Sequence, residues 1–330
     1  MKESIWKVMR RREAGLVGFI ILAALSVGLM DSAFLSWANW KDILVRCAPT
    51  AIVCCGVCLV VLTGEIDIST GSMMALLAAV MGNLMSSDHL GWHPVIGIPV
   101  VLLCGTLLGF FTGVLVTVGK VPSIIVTLGW LTCYRGLTTL IMRGENIGNL
   151  PRFMSEASKT GLVGIPLSVW AALAVICCTA IVLRLTPLGW RIRAAGSSGY
   201  AAEMTGLDSD RIRILVFGWT GFLVAVATLV DVPRLPRIES GIGNGFELLV
   251  VTCVVVGGVS ISGGRGQLRG VLLAVVLMTM IRPMLTFMNI GEAGEKWTRA
   301  IQGLFILLAV ILDQLSNRQT NTKSERSAKA

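Results

Sequence analysis

The sequence predicts an all-α, polytopic membrane protein of about ten transmembrane helices, some of them short or broken, and three observations carry that prediction. The 330 residues are 54% hydrophobic and only 14% charged, with a mean hydropathy of +0.79. A soluble domain of this length keeps far more charge, and no polar segment here is long enough to enclose a core of its own. Apolar runs close to the roughly 20 residues that a helix needs to cross a bilayer recur along nearly the whole chain. The basic residues behind the formal charge of +9 gather at the two ends and in one central loop. That is the placement of a cytoplasmic membrane face, and it argues against a nucleic-acid partner.

The first run, Ala14–Met30, follows Lys2, Lys7 and Arg10, Arg11 and Arg12. Charge followed by an apolar stretch also describes a signal peptide, but no Ala-x-Ala type of cleavage site follows, so residues 1–13 read as a cytoplasmic N-terminus and the run as a retained span. The next spans are Ile43–Thr63, Ser69–Met85, Val95–Val118 and Ser123–Met142, with Pro122 suited to the first turn of the last. The second half supplies Leu167–Leu185, Ile214–Val232, Phe246–Ile261, Leu268–Met288 and Trp297–Leu315. The third and eighth runs are short and flanked by glycine, which suits half-helices or tilted segments. Asp231 to Pro236, with prolines at 233 and 236, forces an extended outer segment. Residues 14–315 thus form one transmembrane domain, and the polar tail 316–330 reads as disordered. Arg184 at the end of the sixth span and Arg191, Arg193, Arg211 and Arg213 after it form one cluster, and Arg318, Lys323, Arg326 and Lys329 follow the tenth. Ten spans place these clusters and the N-terminus on one side, so the chain is predicted N-in and C-in.

The chemistry concentrates between the second and third runs, in Gly64-Glu65-Ile66-Asp67-Ile68-Ser69-Thr70-Gly71-Ser72. A charge in the bilayer centre costs on the order of 2.5–3.5 kcal/mol, so such residues face a cavity, a pathway or a partner. Flanking glycines let the backbone leave the helix, and Asp67 or Ser69 can accept from the free N–H groups that begin the next one. Two readings stand together: an interfacial turn with a capping aspartate, or a wall or gate of a translocation path. Glu239-Ser240-Gly241-Ile242-Gly243-Asn244-Gly245-Phe246-Glu247 repeats the glycine and acid content five spans later. An odd offset relates the two by an inverted repeat, in which broken elements meet at a midplane site.

Other constellations are weaker. Nine cysteines lie inside apolar runs, and Cys55-x-x-Cys58 lacks the second pair or histidine that a metal site needs, so they read as small packing residues. His89 and His93 share one short loop. The glycine-rich Val256–Gly266 lacks the Gly-Lys-Ser/Thr ending of a phosphate loop and reads as a tight turn with close helix packing. No nucleophile and base are paired, so no catalytic residues are assigned. The loop from Thr186 onward is longer than a connection requires and can hold a short helix that docks into another protein or lies on the membrane surface.

Together these stretches resemble the ribose/xylose type of sugar permease in bacterial ABC importers, a group that includes rhamnose and autoinducer-2 permeases. The Gly64–Ser72 stretch is similar to that family's Gly-Gly-Ile-Asp-Leu-Ser-x-Gly-Ser, with Glu65 for the second glycine and Ile68 for leucine. Lys120-Val121-Pro122-Ser123-Ile124-Ile125-Val126-Thr127-Leu128-Gly129 resembles its Lys-Val-Pro-x-Phe-Ile-Val-Thr-Leu-Gly, and Trp130 departs from the usual small or hydroxyl residue. The central loop resembles its Gly-Arg-x-x-x-Ala-x-Gly-x-Asn-x-x-Ala-Ala, with Trp190 and Ser198 as departures. Gly257-Gly258 with Ser260 and Gly263-Gly264-x-Gly266 resembles its last glycine cluster, Arg269 being unusual in the next span.

The resemblance implies a multi-pass permease subunit of the bacterial cytoplasmic membrane, in contact with lipid. Its partners would be a second copy or a related permease, an extracytoplasmic substrate-binding protein and a cytoplasmic ATP-binding subunit. That subunit would hold the ATP and magnesium, leaving no cofactor or metal in this chain. The loop 186–213 would be the coupling loop, touching the ATPase through Arg191, Arg193, Ser198, Gly199, Tyr200 and Ala202. Glu65, Ile66, Asp67, Ser69, Gly71, Thr127 and Trp130 would line or gate the path. The alternative is a self-sufficient secondary transporter in which Glu65 and Asp67 bind protons or a cation.

Overall fold

The computed structural model describes residues 2–159, 161–162, 164–289, 294, 296–308 and 310–311. Among these residues the fold is almost entirely helical, and each boundary has a local cause. Helix α1 (Lys2–Met30) ends in a 3-10 turn, Ser32–Leu35, where the Asp31 carboxylate accepts from the Ala33 N–H at 2.9 Å. Helix α2 (Trp37–Leu62) starts at Ser36, whose hydroxyl accepts from the Asn39 N–H, and α3 (Thr70–Met85) follows the break at Gly64. Pro94 opens α4 (Pro94–Thr117) and Pro122 precedes α5 (Ser123–Met142), each where a missing N–H costs nothing.

A short helix, α6 (Arg152–Lys159), and an antiparallel pair of two-residue strands, β1 (Gly161–Leu162) and β2 (Ile165–Pro166), cover the next connection. They precede α7 (Leu167–Leu185), which turns at Thr186 into α8 (Pro187–Ser197), α9 (Gly199–Met204) and α10 (Ser209–Asp231). After a 3-10 turn, Val232–Arg234, come α11 (Phe246–Val256), α12 (Leu268–Phe287) and a helical stretch at 296–308.

Among the described residues seven helices are long and apolar enough to cross a membrane: α1 from Glu13 onward, α2, α4, α5, α7, α10 and α12. The third and eighth runs are the shorter apolar helices α3 and α11, in keeping with their reading as half-helices. Several boundaries move: α1 reaches back to Lys2 and α2 begins at Trp37 instead of Ile43. Helix α11 stops at Val256 instead of Ile261, because Gly258 turns left-handed (φ +89°) and the chain closes a loop in which the Ser260 N–H donates to the Arg265 carbonyl at 2.9 Å. The loop 186–213 is two short helices, and residues 209–213 already belong to α10, whose start is capped by Asp208 accepting from the Arg211 N–H. Most of the tenth run is helical, and the tail 316–330 lies outside the described residues.

Helix α2 forms the centre, buried along nearly its whole length among α10, α12, α7 and α11. Helix α10 lies between α2 and α4, with its backbone pressed against α4. Gly105, Gly109 and Gly113, four residues apart, bring one face of α4 against Ile214, Phe217 and Gly221 of α10. A Cβ on Gly105 would lie 2.6 Å from the Gly221 carbonyl oxygen, and one on Gly113 would lie 2.8 Å from the Ile214 Cα. In lipid, helices gain little from the hydrophobic effect on associating, so such small-residue faces hold by close backbone packing.

Candidate functional site

The break after α2 is a helix terminus completed by its own backbone. Gly64, at φ +84°, donates to the Val61 carbonyl, and Glu65 donates to the Val60 carbonyl at 3.2 Å. These are the paired bonds of a Schellman cap, which needs a left-handed residue at the position of Gly64. Residues 65–69 then lie outside any helix. The Ser123 hydroxyl at the head of α5 accepts from the Ile66 N–H at 3.1 Å, and the Thr127 hydroxyl one turn later is 3.4 Å from the Ile66 carbonyl. The Gly64–Ser72 motif and the motif that opens α5 therefore form one unit.

Asp67 is buried, and one of its oxygens accepts from both the N–H and the hydroxyl of Ser69, at 2.8 and 2.7 Å. The sequence allowed either residue to cap α3. In the structure the Ser69 backbone is already helical and its side chain makes no cap bond, because the hydroxyl is taken by Asp67.

The second glycine segment meets the first. Ile238 pairs with Ile147 beside Gly82, near the end of α3, and from there the chain runs back along α3, about 16 Å at helical rise, to set Gly243 against Gly71. A Cβ on Gly71 would lie 2.6 Å from the Gly243 carbonyl and would overlap the Glu247 carboxylate. The first turns of α3 and α11 thus abut at a buried Gly71 and Glu247, through non-helical backbone that is half-buried at Gly243. Glu247 is 8% exposed; one oxygen accepts from the Gly245 N–H and the other has no partner. Arg135 of α5 reaches the same segment and donates to the Ile242 carbonyl at 2.6 Å. Trp130 stacks on the buried Tyr134, with ring centroids 5.0 Å apart.

A second junction sits where α8 meets the end of α2. The Gly264 N–H donates to the Leu62 carbonyl at 2.9 Å, and a Cβ on Gly263 would lie 2.7 Å from the Gly196 carbonyl and 2.9 Å from the Gly64 Cα. Gly196 itself lies directly on the Leu62 carbonyl. Three glycine stretches, distant in sequence, so make one backbone-to-backbone contact. Arg193 strengthens it by donating to the Gly266 carbonyl at 2.9 Å, whereas Arg191 is exposed. Ser198 caps α9, accepting from the Ala201 N–H, and Ala202 is buried beneath it. Trp190 and Tyr200, each 72% exposed, point away from the chain.

Of the predicted path residues, Ile66, Asp67, Ser69 and Thr127 are gathered at the α3–α5 unit, Gly71 lies under α11, and Trp130 is one turn along α5 from Thr127. Glu65 points the other way, to Arg213 of α10, at 3.1 Å. Arg213, Arg135, Tyr134 and Glu247 did not stand out in the sequence as site residues; charges inside or at the edge of apolar runs are the signal that marks the two arginines and Glu247, and Tyr134 carries no such signal. Among the described residues no cluster of three or more His, Cys, Asp or Glu could hold a metal ion.

Known proteins share this chain's sequence over most of its length. The family described as branched-chain amino acid transport system / permease component matches residues 39–310. The ribose import permease protein RbsC of Haemophilus influenzae is 34% identical over 304 residues, covering 90% of this chain and 91% of its own. The autoinducer 2 import system permease protein LsrC of Yersinia pseudotuberculosis is 31% identical, covering 92% and 84%. RbsC of Escherichia coli K12 is 28% identical, covering 93% and 95%. No solved structure matches the chain.

Proposed function

Because the chain belongs to the branched-chain amino acid transport system / permease component family, we propose that it is the membrane subunit of an ATP-driven importer for a sugar or sugar-like small molecule. The relatives named for ribose and for autoinducer 2 supply that substrate class. In this reading it is a multi-pass protein of the bacterial inner membrane, with ten spans, both termini cytoplasmic and α8–α9 on the same face. It pairs with a second permease, takes substrate from an extracytoplasmic binding protein, and is driven by a separate subunit that holds ATP and magnesium.

One observation carries the coupling half of this reading: α8, which leads straight into α9, rests by backbone contact on the end of α2, directly before the polar break. A push on this corner reaches the break with no flexible side chain between them. Trp190 and Tyr200 stand out as apolar anchors of the kind that dominate binding at a partner surface. Ile66, Asp67, Ser69 and Thr127 shape the break, and Trp130 borders the path. Asp67 has its Ser69 donors and Glu65 its arginine, which disfavours their use as cation ligands.

The test is uptake of radiolabelled ribose into proteoliposomes. Uptake that requires ATP, the ATP-binding subunit and the binding protein supports the assignment; uptake by this chain alone under a proton or sodium gradient overturns it. In the same preparation, Trp190→Ala with Tyr200→Ala is expected to lower co-purification of the ATP-binding subunit by at least about tenfold, as loss of two buried aromatic anchors does at other interfaces.

A further inference from the structure

We propose that the Glu65–Arg213 ion pair is the tie through which movement of the α8–α9 corner reaches the break before α3, making both of them positioning residues for transport. This inference rests on the reading above that α8 and α9 receive the ATPase stroke.

The geometry singles out this pair. The Glu65 carboxylate lies 3.1 Å from Nε of Arg213, and the two side chains are only 15% and 26% exposed, so solvent screens them weakly. Nη1 of the same guanidinium lies 3.5 Å from Asp210 on α10, and Nη2 is on the side of Gly199 at the start of α9, 3.9 Å from where an added Cβ there would stand. One planar, rigid cation at the start of α10, beside the start of α9, therefore reaches the break after α2. Glu65 cannot drift from that end of α2, because its own N–H closes the Schellman cap on Val60.

The glycine junction beside it can transmit compression, since backbone meets backbone there, and two hydrogen bonds, Gly264 N–H to the Leu62 carbonyl and Arg193 to the Gly266 carbonyl, hold it on the α8 side, but neither reaches α10. The ion pair supplies tension. A return stroke that pulls α9 and α10 outward carries Glu65 with them, and with Glu65 the non-helical residues 65–69 that hold Asp67. The sequence motif that this segment resembles has glycine at position 65, which has no side chain to make such a tie.

The importer reconstituted in proteoliposomes from this chain, its ATP-binding subunit and its binding protein tests the idea, with radiolabelled ribose as the probe and uptake read against ATP hydrolysed. Glu65→Gln is expected to keep the ATP-binding subunit bound and ATP hydrolysis near the parent level, while ribose moved per ATP falls about tenfold, as uncoupling of a partly buried charge pair would give. Glu65→Asp, which keeps the charge one methylene shorter, is expected to recover part of that loss, and Glu65→Gln with Arg213→Gln to be no worse than Arg213→Gln alone. Unchanged ribose per ATP in Glu65→Gln overturns the tie. So does an equal fall in subunit co-purification, which marks a structural role alone. Gly199→Trp separates this from the coupling reading itself: full co-purification and full uptake in that variant overturn α8–α9 as the docking element, and the tie with it.

Discussion

At Asp67 one carboxylate oxygen holds both hydrogen-bond donors of Ser69 in a place without solvent, so the residue's charge matters less than its capacity to accept. Asp67→Ala leaves the Ser69 N–H and hydroxyl buried and unpaired and is expected to cost about 1–3 kcal/mol of stability. Asp67→Asn keeps an accepting oxygen and should cost clearly less; melting of the detergent-purified protein by scanning fluorimetry compares them, and equal losses would show that the charge itself is needed. Gly71 makes a different demand. Gly71→Ala puts a methyl group 2.6 Å from the Gly243 carbonyl and against Glu247, and is expected to abolish most ribose uptake while leaving membrane insertion, read by Western blot of the membrane fraction, unchanged.

Between elements, the contact of α4 with α10 shows how much depends on which face a glycine occupies. A Cβ on Gly221 would overlap the Gly105 carbonyl, whereas one on Gly218, three residues earlier on the same helix, would meet Phe110 at an ordinary 3.9 Å. Gly221→Ala is therefore expected to destabilise by about 1–3 kcal/mol and Gly218→Ala by much less, a contrast that the same fluorimetric melting reads directly. The helices themselves are legible in the sequence, because length and hydropathy are local properties. Their neighbours are not: α2 and α4 are equally apolar, yet one is enclosed and the other faces outward along most of its length. The meeting of Gly71 with Gly243 is legible only as two similar segments at an odd offset, and Arg213 is hidden because on paper it is one more basic residue of a cytoplasmic loop. Glu65 looks like a path residue for a related reason, since nothing local reveals that its partner lies 148 positions later.

For the whole molecule, orientation is the property that charge placement predicts most directly. Membrane-impermeant maleimide should label a cysteine at Ser87 in intact spheroplasts and one at Ser198 only in inverted vesicles, in a background without the nine native cysteines; the reverse pattern would invert the assignment. The enclosure of α2 has a consequence for how the protein is made. Its main wall, α10, begins at Ser209, long after α2 itself has left the ribosome. In the interval α2 must rest in bare lipid, so each of its faces has to be greasy enough to be stable there, including those that will later touch only protein. The apolar surface of its segment 47–62, with Thr50 as the one hydroxyl, is thus a requirement of assembly order, and a polar substitution there that the finished core could accommodate would still be caught at the stage of insertion.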